Sequence, residues 1–264
     1  MPRTQKVSSK ATPPPTLRKA RKLWGDDGGT KDAFLRQLIC SDAPEQALRY
    51  HGYRVIAGVD EVGRGALCGP VVAAAVILPE EISWLADKGL RDSKQLLPDE
   101  REALDADIRS VALAFSIAAV DNETIDRVNI YQASRMAMQM AVTGLAVRPD
   151  HLLIDAMRIS DPCAQTKLIY GDSLSLSIAA ASVVAKVYRD ALMCDLSSQY
   201  PQYGFQSHKG YGTPEHRRAL KEHGLTPLHR RTFAPVAAAD PDAALELALE
   251  GQVLFDDGFE VTDI

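Results

Sequence analysis

The chain has 264 residues, of which 46% are hydrophobic and 25% charged, and its formal net charge is −5. No apolar stretch approaches the roughly 20 residues that a membrane helix needs, and the polar N-terminus is unlike a secretory signal, so we expect a cytoplasmic protein. The four cysteines (Cys40, Cys68, Cys163, Cys194) have no paired spacing, which argues against a disulfide framework or a zinc site.

Charge is distributed unevenly along the chain. Residues 1–37 carry nine Lys/Arg against three Asp, and residues 238–264 carry eight acidic residues and no basic one. Residues 204–231 hold six Lys/Arg against two Glu, with four of the six histidines. We predict a basic, largely disordered extension over 1–50, a folded domain over 51–237 and an acidic tail over 238–264. The local basic segments suit a nucleic-acid backbone despite the negative total.

The predicted elements alternate between apolar strands and helices. Strands are predicted for "RVIAGVD" (54–60), "PVVAAAVILP" (70–79), "ALAFSIAAVD" (112–121), "DHLLIDA" (150–156) and "TKLIYGD" (166–172). Helices are predicted for 122–145, for 175–200 and for 213–224, the last with Thr213 as N-cap. Three hairpin-linked strands followed by strands separated by helices predict a mixed sheet with helices packed on it.

Four acidic residues lie at the ends of these strands. Asp60 and Glu61 close the first strand, Asp155 closes "LLID", and Asp172 follows "LIYG". Because α/β sheets place their chemistry at strand ends, four such carboxylates can converge at one edge. Hard oxygen ligands suit Mg²⁺ or Mn²⁺, and a pair of such ions serves phosphodiester hydrolysis. Neighbours on a straight strand point to opposite faces, so Asp60 and Glu61 share a site only if the strand bends or ends near Gly63.

Three further segments are candidates for substrate contacts. The Gly-Arg-Gly segment at 63–65 lets backbone N–H groups and an arginine approach a phosphate or sugar, with a tight turn as the alternative. Ser93 and Lys94 in "LRDSKQL" are candidates for a phosphate contact, against an N-cap at Ser93 or a solvated turn. Tyr211 lies between glycines in "HKGYGT", where it can stack on a sugar or base or be a half-buried turn residue.

Together these segments resemble bacterial ribonuclease HII from about residue 54 to residue 236. The ordered motifs that carry the resemblance are "AGVDEVGRG" with "GPVVAAAVI", "LRDSKQL", "LLIDA", "GDSLSLSIAAASVVAKVYRD", "YGFQSHKGYGT" and "TPLHRRTF". The resemblance implies a ribonuclease H-like α/β fold, a mixed five-stranded sheet flanked by helices, with a small helical C-terminal part. It also implies hydrolysis of the RNA strand of RNA–DNA hybrids. A further implied activity is incision 5′ of single ribonucleotides in duplex DNA, leaving 3′-hydroxyl and 5′-phosphate ends.

The resemblance also implies which residues act. The family's metal-binding acids fall on Asp60, Glu61, Asp155 and Asp172, with Mg²⁺ or Mn²⁺ as the cofactor. Its element that recognises the 2′-hydroxyl through backbone groups falls on Gly63, Arg64 and Gly65, and its junction-sensing tyrosine falls on Tyr211. Asp190 competes as a fourth acid, but it lies well inside the long predicted helix, so we interpret it as structural. Tyr170 stands where Lys is usual before "GD", which removes a positive charge near the site.

The expected partners are RNA–DNA hybrids and ribonucleotide-containing duplex DNA, in replication and ribonucleotide excision repair. No membrane partner is expected, and nothing in the sequence indicates oligomerisation, so we expect a monomer. "GQVLF" at 251–255 is similar to a sliding-clamp-binding peptide, although a random tail segment is the favoured explanation. Two alternative functions stay open. The intact acid set argues against a non-catalytic hybrid-binding protein. The segment 63–65 and Tyr211 argue against a resolvase or transposase of the same fold.

Overall fold

The computed structural model of the protein describes residues 38–240, together with residues 242, 245 and 249. The basic segment 1–37 and the "GQVLF" segment lie outside the described residues. The strands are β1 (Ile56–Val62), β2 (Val71–Ile77), β3 (Ala114–Val120), β4 (His151–Asp155) and β5 (Ala164–Leu168). The helices are α1 (Ala43–Tyr50), α2 (Ser83–Asp87), α3 (Pro98–Val111), α4 (Asn122–Thr143), α5 (Leu176–Gln199), α6 (Phe205–His208), α7 (Pro214–His223) and α8 (Ala234–Ala237). Short 3₁₀ helices cover Ser93–Gln95, Gly171–Ser173 and Pro201–Tyr203.

The five strands form one mixed sheet in the order β3-β2-β1-β4-β5. β1 pairs antiparallel with β2 and β2 with β3, whereas β4 is parallel to both β1 and β5. β1 runs past its parallel neighbour, since its last pair with β4 is Val59 opposite Ile154 while its pairing with β2 continues to Val62. The fold class predicted from the sequence is therefore confirmed.

The helix order differs from the prediction in two places. α2 and α3 lie between β2 and β3, so the first three strands are not all linked by hairpins. The connection from β4 to β5 contains no helix. α3 has only Leu104, Asp105 and Ile108 buried, and such a sparse apolar face produces a weak periodic signal.

The sheet is covered by helices on both faces. On one face alternate residues of β1 and β2 pack against α4, through Ala133, Ala137, Met138 and Ala141. On the other face the intervening residues of β2 pack against α5 and α3. All seven residues of β2 are buried, as expected for a strand between two helical layers. α5 approaches β1 so closely that a Cβ on Gly58 would lie 2.0 Å from the Ser177 carbonyl carbon.

Helix α1 lies in the stretch that the sequence assigns to the N-terminal extension, so helical structure begins before residue 51. Its Glu45 is fully buried, and Oε1 accepts hydrogen bonds from the Ser175 hydroxyl (2.6 Å) and the Ser177 N–H (2.9 Å). These are groups at the start of α5, where unpaired N–H groups need acceptors and favour a negative charge. Glu45 thus ties α1 to the helix start that follows Asp172.

We expect Glu45→Ala to lower the free energy of unfolding by about 2 kcal/mol, because it leaves buried donors at the start of α5 without an acceptor. Chemical denaturation measures this loss. Gln46→Ala is the matched control, since Gln46 is exposed on the same helix and, among the described residues, its side chain bonds only Asp42. Equal stability of the two variants would contradict the role given to Glu45.

Within the described part of the chain, no helix is both long enough and apolar enough to cross a membrane.

Candidate active site

The four predicted acids lie around the ends of β1 and β4. Asp60 and Glu61 belong to the part of β1 that extends beyond β4, and Asp155 is the last residue of β4. Asp172 lies in the 3₁₀ turn after β5, which ends at Leu168, earlier than the sequence predicted. β1 does not end at Asp60, and the chain turns only after Val62, at Gly63 with φ of 91°. Asp60 and Glu61 nevertheless line one cleft of about 610 Å³ together with Asp155.

Each carboxylate has hydrogen bonds that fix its position. Asp60 Oδ1 accepts the N–H of Glu61 at 2.8 Å, and Asp155 Oδ1 accepts the N–H of Gly171 at 2.7 Å. The second bond joins the end of β4 to the turn that carries Asp172. Asp172 does not itself line the cleft, but its Oδ2 accepts a hydrogen bond from Lys94, which does, at 3.2 Å.

Burial, together with repulsion between the carboxylates, raises the pKa values of this cluster. Burial raises the pKa of Glu61 to about 7, against the opposing effect of Arg64. Burial, reinforced by Asp172, raises the pKa of Asp155 to about 6. Asp60 has its pKa raised well above the usual range, first by burial and then by Glu61 and Asp155. Carboxylates that repel one another in a low-dielectric cleft indicate a place for cations.

The donor set fits a divalent metal. Oxygen ligands from carboxylates are those that Mg²⁺ and Mn²⁺ prefer. Glu61 Oε2 is buried and has no hydrogen-bond partner among the described residues, so one oxygen of the cluster lacks the cation or donor that its burial requires. Arg64 bonds Glu61 at 3.2 Å, and Lys94 bonds Asp172 at 3.2 Å and Asp92 at 3.4 Å.

The predicted Gly-Arg-Gly segment lines the same cleft. Gly63 has the positive φ that favours glycine, whereas a Cβ on Gly65 would have no atom of the described residues within 4 Å, its own chain neighbours aside. Arg64, predicted as a phosphate contact, pairs with Glu61 through Nη1. Protein packing therefore explains Gly63 but leaves the glycine at 65 without a structural reason.

Ser93, Lys94 and Tyr211 also line the cleft. The Ser93 hydroxyl is 2.9 Å from that of Ser182 and its side chain is buried, so it is engaged within the protein. Asp92, not Ser93, caps the 3₁₀ turn by accepting the Lys94 N–H. The Lys94 side chain is 75% exposed, which leaves its ammonium accessible to a ligand.

Tyr211 lies beside the loop 63–70 because it forms an antiparallel bridge with Ala66. Lys186 Nζ is 5.8 Å and Arg189 Cζ is 5.5 Å from the centre of its ring. Lys186 and Arg101 line the cleft as well, and sequence reasoning missed both. The chain offered one signal for Lys186, its spacing of four residues from Asp190 on a helix. Lys186 Nζ is 2.7 Å from Asp190 Oδ1, so Asp190 is paired on α5 and lines a neighbouring cleft instead.

A second group of potential metal ligands lies away from the acids. Cys68, His216 and His229 are buried and their ligand atoms lie within 4.8 Å of one another. The hydrogen bonds of the two histidine rings are complete without a metal. His216 Nδ1 donates to the Tyr211 carbonyl, the Thr226 N–H donates to His229 Nδ1, and the His229 Nε2–H therefore donates to His216 Nε2 at 3.1 Å.

The pKa shifts of these side chains agree with two neutral histidines. Burial lowers the pKa of His229 to about 4 and also lowers that of His216. Burial raises the pKa of the Cys68 thiol to about 12, so it is protonated at neutral pH and is a poor metal ligand. We therefore interpret these side chains as a hydrogen-bonded support for Tyr211.

A mixed sheet in this strand order, with carboxylates at the ends of adjacent strands, defines a metal-dependent hydrolase of the ribonuclease H-like fold class. A family model described as Ribonuclease HII matches residues 57–236. A ribonuclease HII of Koribacter versatilis is 51% identical over 239 residues, covering 88% of this chain and 93% of the relative. The chain thus belongs to the ribonuclease HII family and is a metal-dependent ribonuclease.

Solved structures agree with the fold. The crystal structure of ribonuclease H2 from Pyrococcus horikoshii has a TM-score of 0.63 and 25% identity, and the likeness covers 73% of this chain and 98% of that chain. The Bst-RNase HIII solved in complex with Mn²⁺ has a TM-score of 0.55 at 22% identity, covering 76% and 73% of the two chains, and it supports the fold alone.

Proposed function

We propose that the protein is an endoribonuclease that hydrolyses the RNA strand of RNA–DNA hybrids and incises duplex DNA on the 5′ side of a single embedded ribonucleotide. The products are 3′-hydroxyl and 5′-phosphate ends. The supporting observation is that one cleft is lined by Asp60, Glu61 and Asp155 and also by the segment 63–65 and Tyr211. The same cleft therefore combines a place for cations with backbone and aromatic groups suited to a sugar.

Asp60, Glu61, Asp155 and Asp172 are proposed to hold two divalent ions, Mg²⁺ or Mn²⁺. Such ions, when bound, supply an activated water and stabilise the leaving oxygen of the phosphodiester. The protein's own contribution is to hold the carboxylates in place through the N–H groups of Glu61 and Gly171. Lys94, Arg101 and Lys186 give the cleft the positive charge that a phosphate backbone needs.

Selection of a ribonucleotide requires a contact with the 2′-hydroxyl, since that group distinguishes RNA from DNA. Gly65 supports this assignment, because in the described part of the chain nothing beyond its chain neighbours lies within 4 Å of the place where its Cβ would be. A backbone without a side chain allows a sugar to approach within hydrogen-bond distance. Tyr211, next to this loop through its bridge with Ala66, is proposed to contact the neighbouring nucleotide.

The proposed setting is ribonucleotide excision repair and DNA replication in the cytoplasm, with a monomeric enzyme. The division into an extension over 1–50, a catalytic domain over 51–237 and a tail over 238–264 stays a prediction, with the reservation that α1 begins at Ala43. The basic segment 1–37 is proposed to add salt-sensitive DNA affinity. For 251–255 a random tail segment stays the favoured explanation, with a sliding-clamp contact as the weaker alternative.

Cleavage of a duplex DNA that carries one ribonucleotide tests this function. The full-length protein is incubated with Mg²⁺, with Mn²⁺ or with a chelator, and an all-DNA duplex serves as the control. We expect one metal-dependent cut on the 5′ side of the ribonucleotide and none in the control. Binding of the ribonucleotide duplex without any product would instead favour the hybrid-binding alternative.

Gly65→Ala separates recognition from folding. We expect kcat/KM for the one-ribonucleotide duplex to fall about 10²-fold, because an added methyl group keeps the sugar away from the backbone. The unfolding midpoint should stay unchanged, since the methyl group meets no described residue other than its chain neighbours. Wild-type kinetics in this variant would show that the sugar does not contact residue 65.

A further inference from the structure

The loop 63–70 between β1 and β2 is held between two other segments. On one side the Leu67 N–H donates to the Gly210 carbonyl at 2.8 Å, next to the Ala66–Tyr211 bridge. On the other side the Gly69 N–H donates to the Leu228 carbonyl at 2.9 Å. The loop 63–70 thus joins the segment around Gly210 to the segment around Leu228, although all three are far apart in the sequence.

Arg189 on α5 lies underneath this junction and is completely buried. Its guanidinium donates to three carbonyls, those of Pro70 (3.0 Å), Lys209 (2.9 Å) and Cys68 (3.2 Å). Two of these belong to the loop 63–70 and the third precedes Gly210. One side chain thus fixes the distance between the loop and the segment that carries Tyr211.

Arg230 bonds the same loop and is also completely buried. Nε donates to the Gly69 carbonyl at 3.0 Å, and Nη1 donates to the Arg64 carbonyl at 2.9 Å. The second bond fixes the peptide that joins Arg64 to Gly65. Its Nη2 has no partner among the described residues.

Neither guanidinium forms an ion pair with a carboxylate in the described part of the chain. Burying two cations without carboxylate partners is costly, and core packing alone does not require it. Burial, together with the nearby Arg189, lowers the pKa of Arg230 to about 9. The planar guanidinium offers five donors in a fixed geometry, which suits it to holding several carbonyls at once.

Arg189 directly contacts Gly63 and Tyr211, which belong to the part of the site proposed to face the substrate. A Cβ on Gly63 would lie 2.2 Å from Arg189 Nε, so the backbone of Gly63 packs against the guanidinium. The Tyr211 ring centre is 5.5 Å from Arg189 Cζ, within the range of a cation–π contact. Arg189 therefore touches both the Gly-Arg-Gly segment and the aromatic residue, without lining the cleft itself.

We propose that Arg189 and Arg230 are positioning residues that hold the backbone of residues 63–65 and Tyr211 in the arrangement needed to recognise a ribonucleotide sugar. The inference rests on the proposed function, because it assigns to these arginines the geometry of 2′-hydroxyl recognition. They bond carbonyls of the loop 63–70 and of Lys209, and they act through this backbone. A lysine keeps the charge but cannot reproduce the fixed donor geometry that lets Arg189 bond three carbonyls and Arg230 bond two.

The test measures discrimination in binding. Fluorescence anisotropy in Mg²⁺ gives the dissociation constants of full-length protein for an all-DNA duplex and for the same duplex with one ribonucleotide. Asp155→Asn is present throughout, so that cleavage does not interfere. The preference for the ribonucleotide is the dissociation constant for all-DNA divided by that for the ribonucleotide duplex. Adding Arg189→Lys should lower this ratio about tenfold, because misplaced recognition groups no longer contact the ribonucleotide sugar well. Affinity for all-DNA should change less than about twofold, since phosphate contacts at the surface are kept.

Arg49→Lys is the matched control. Arg49 is another buried arginine, and it donates to the Pro79 carbonyl away from the loop. Its replacement should leave the ratio unchanged. If Arg189→Lys does not fold, Arg230→Lys is measured instead, with the same expected loss of the ratio.

The outcomes separate the two proposals. A parent protein that prefers the ribonucleotide duplex, with the same preference in the folded Arg189→Lys and Arg230→Lys variants, overturns the role of the arginines alone. A parent without any preference overturns the proposed function, and the positioning role with it. An equal loss in the Arg49→Lys variant would reduce the effect to general stability and also overturn the proposal.

Discussion

Asp155→Asn is expected to lower the rate of ribonucleotide-dependent cleavage by at least about 10³-fold while leaving the protein folded. The amide oxygen can still accept the Gly171 N–H that Asp155 Oδ1 accepts at 2.7 Å, so the turn carrying Asp172 stays in place. The substitution removes only the negative charge that Asp155 contributes to the cleft. Without that charge the cluster holds divalent ions less well and orients them less accurately.

Asp150→Asn is the matched control for this substitution. Asp150 precedes β4 at its other end and accepts the N–H groups of Arg54 (2.7 Å) and Val55 (3.0 Å). It is therefore also a hydrogen-bonded aspartate, but remote from the cleft. Single-turnover cleavage and circular dichroism of both variants give the comparison. A folded Asp155→Asn protein that cleaves like the Asp150→Asn control would remove Asp155 from the active site.

The sequence could predict that acids lie together at one sheet edge because strand ends are visible in a pattern of hydrophobic residues. Asp60 and Asp155 follow apolar runs, and the structure brings them to one cleft. Asp172 was harder to place, because β5 ends at Leu168 and a 3₁₀ turn carries the acid. Helix α3 was missed although Pro98 lies in its first turn and Glu100 accepts the Leu97 N–H at 2.8 Å, a recognisable start signal.

The pattern of hydrophobic residues could not predict which charged residues are buried. Glu45, Arg189 and Arg230 are among the most buried side chains described, yet periodicity assigns such residues to exposed faces. Their partners are distant in sequence: Glu45 bonds Ser175 and Ser177, and Arg230 bonds the carbonyl of Arg64. Only the tertiary structure shows these pairs. For this reason the sequence predicted the acids of the site but not the buried charged residues that hold the surrounding backbone.

In the absence of divalent metal, the carboxylate cluster should make the protein less stable as the pH rises. The pKa of Asp155 is raised to about 6 and that of Glu61 to about 7 in the folded protein, while the unfolded chain has ordinary values near 4. Between these limits the folded protein binds more protons than the unfolded chain. Its extra stability is therefore complete below about pH 4 and is lost as the pH rises through 6 and 7. The loss is on the order of a few kcal/mol.

Thermal unfolding in a chelator between pH 5 and 8 measures this loss, and saturating Mg²⁺ or Mn²⁺ should reverse it at pH 8. At a free metal concentration 100 times the dissociation constant the gain is about 2.7 kcal/mol.

His229 acts in the opposite direction, because its lowered pKa removes stability as the pH falls from 6.5 towards 4. The Asp155→Asn variant separates the two effects, since it keeps the histidine and removes one repelling carboxylate. It should be more stable than the parent in chelator at pH 8, and gain less from metal. A parent whose stability in chelator rises steadily from pH 5 to 8, and an Asp155→Asn variant with the same slope, would show that the carboxylates do not repel one another in the folded protein.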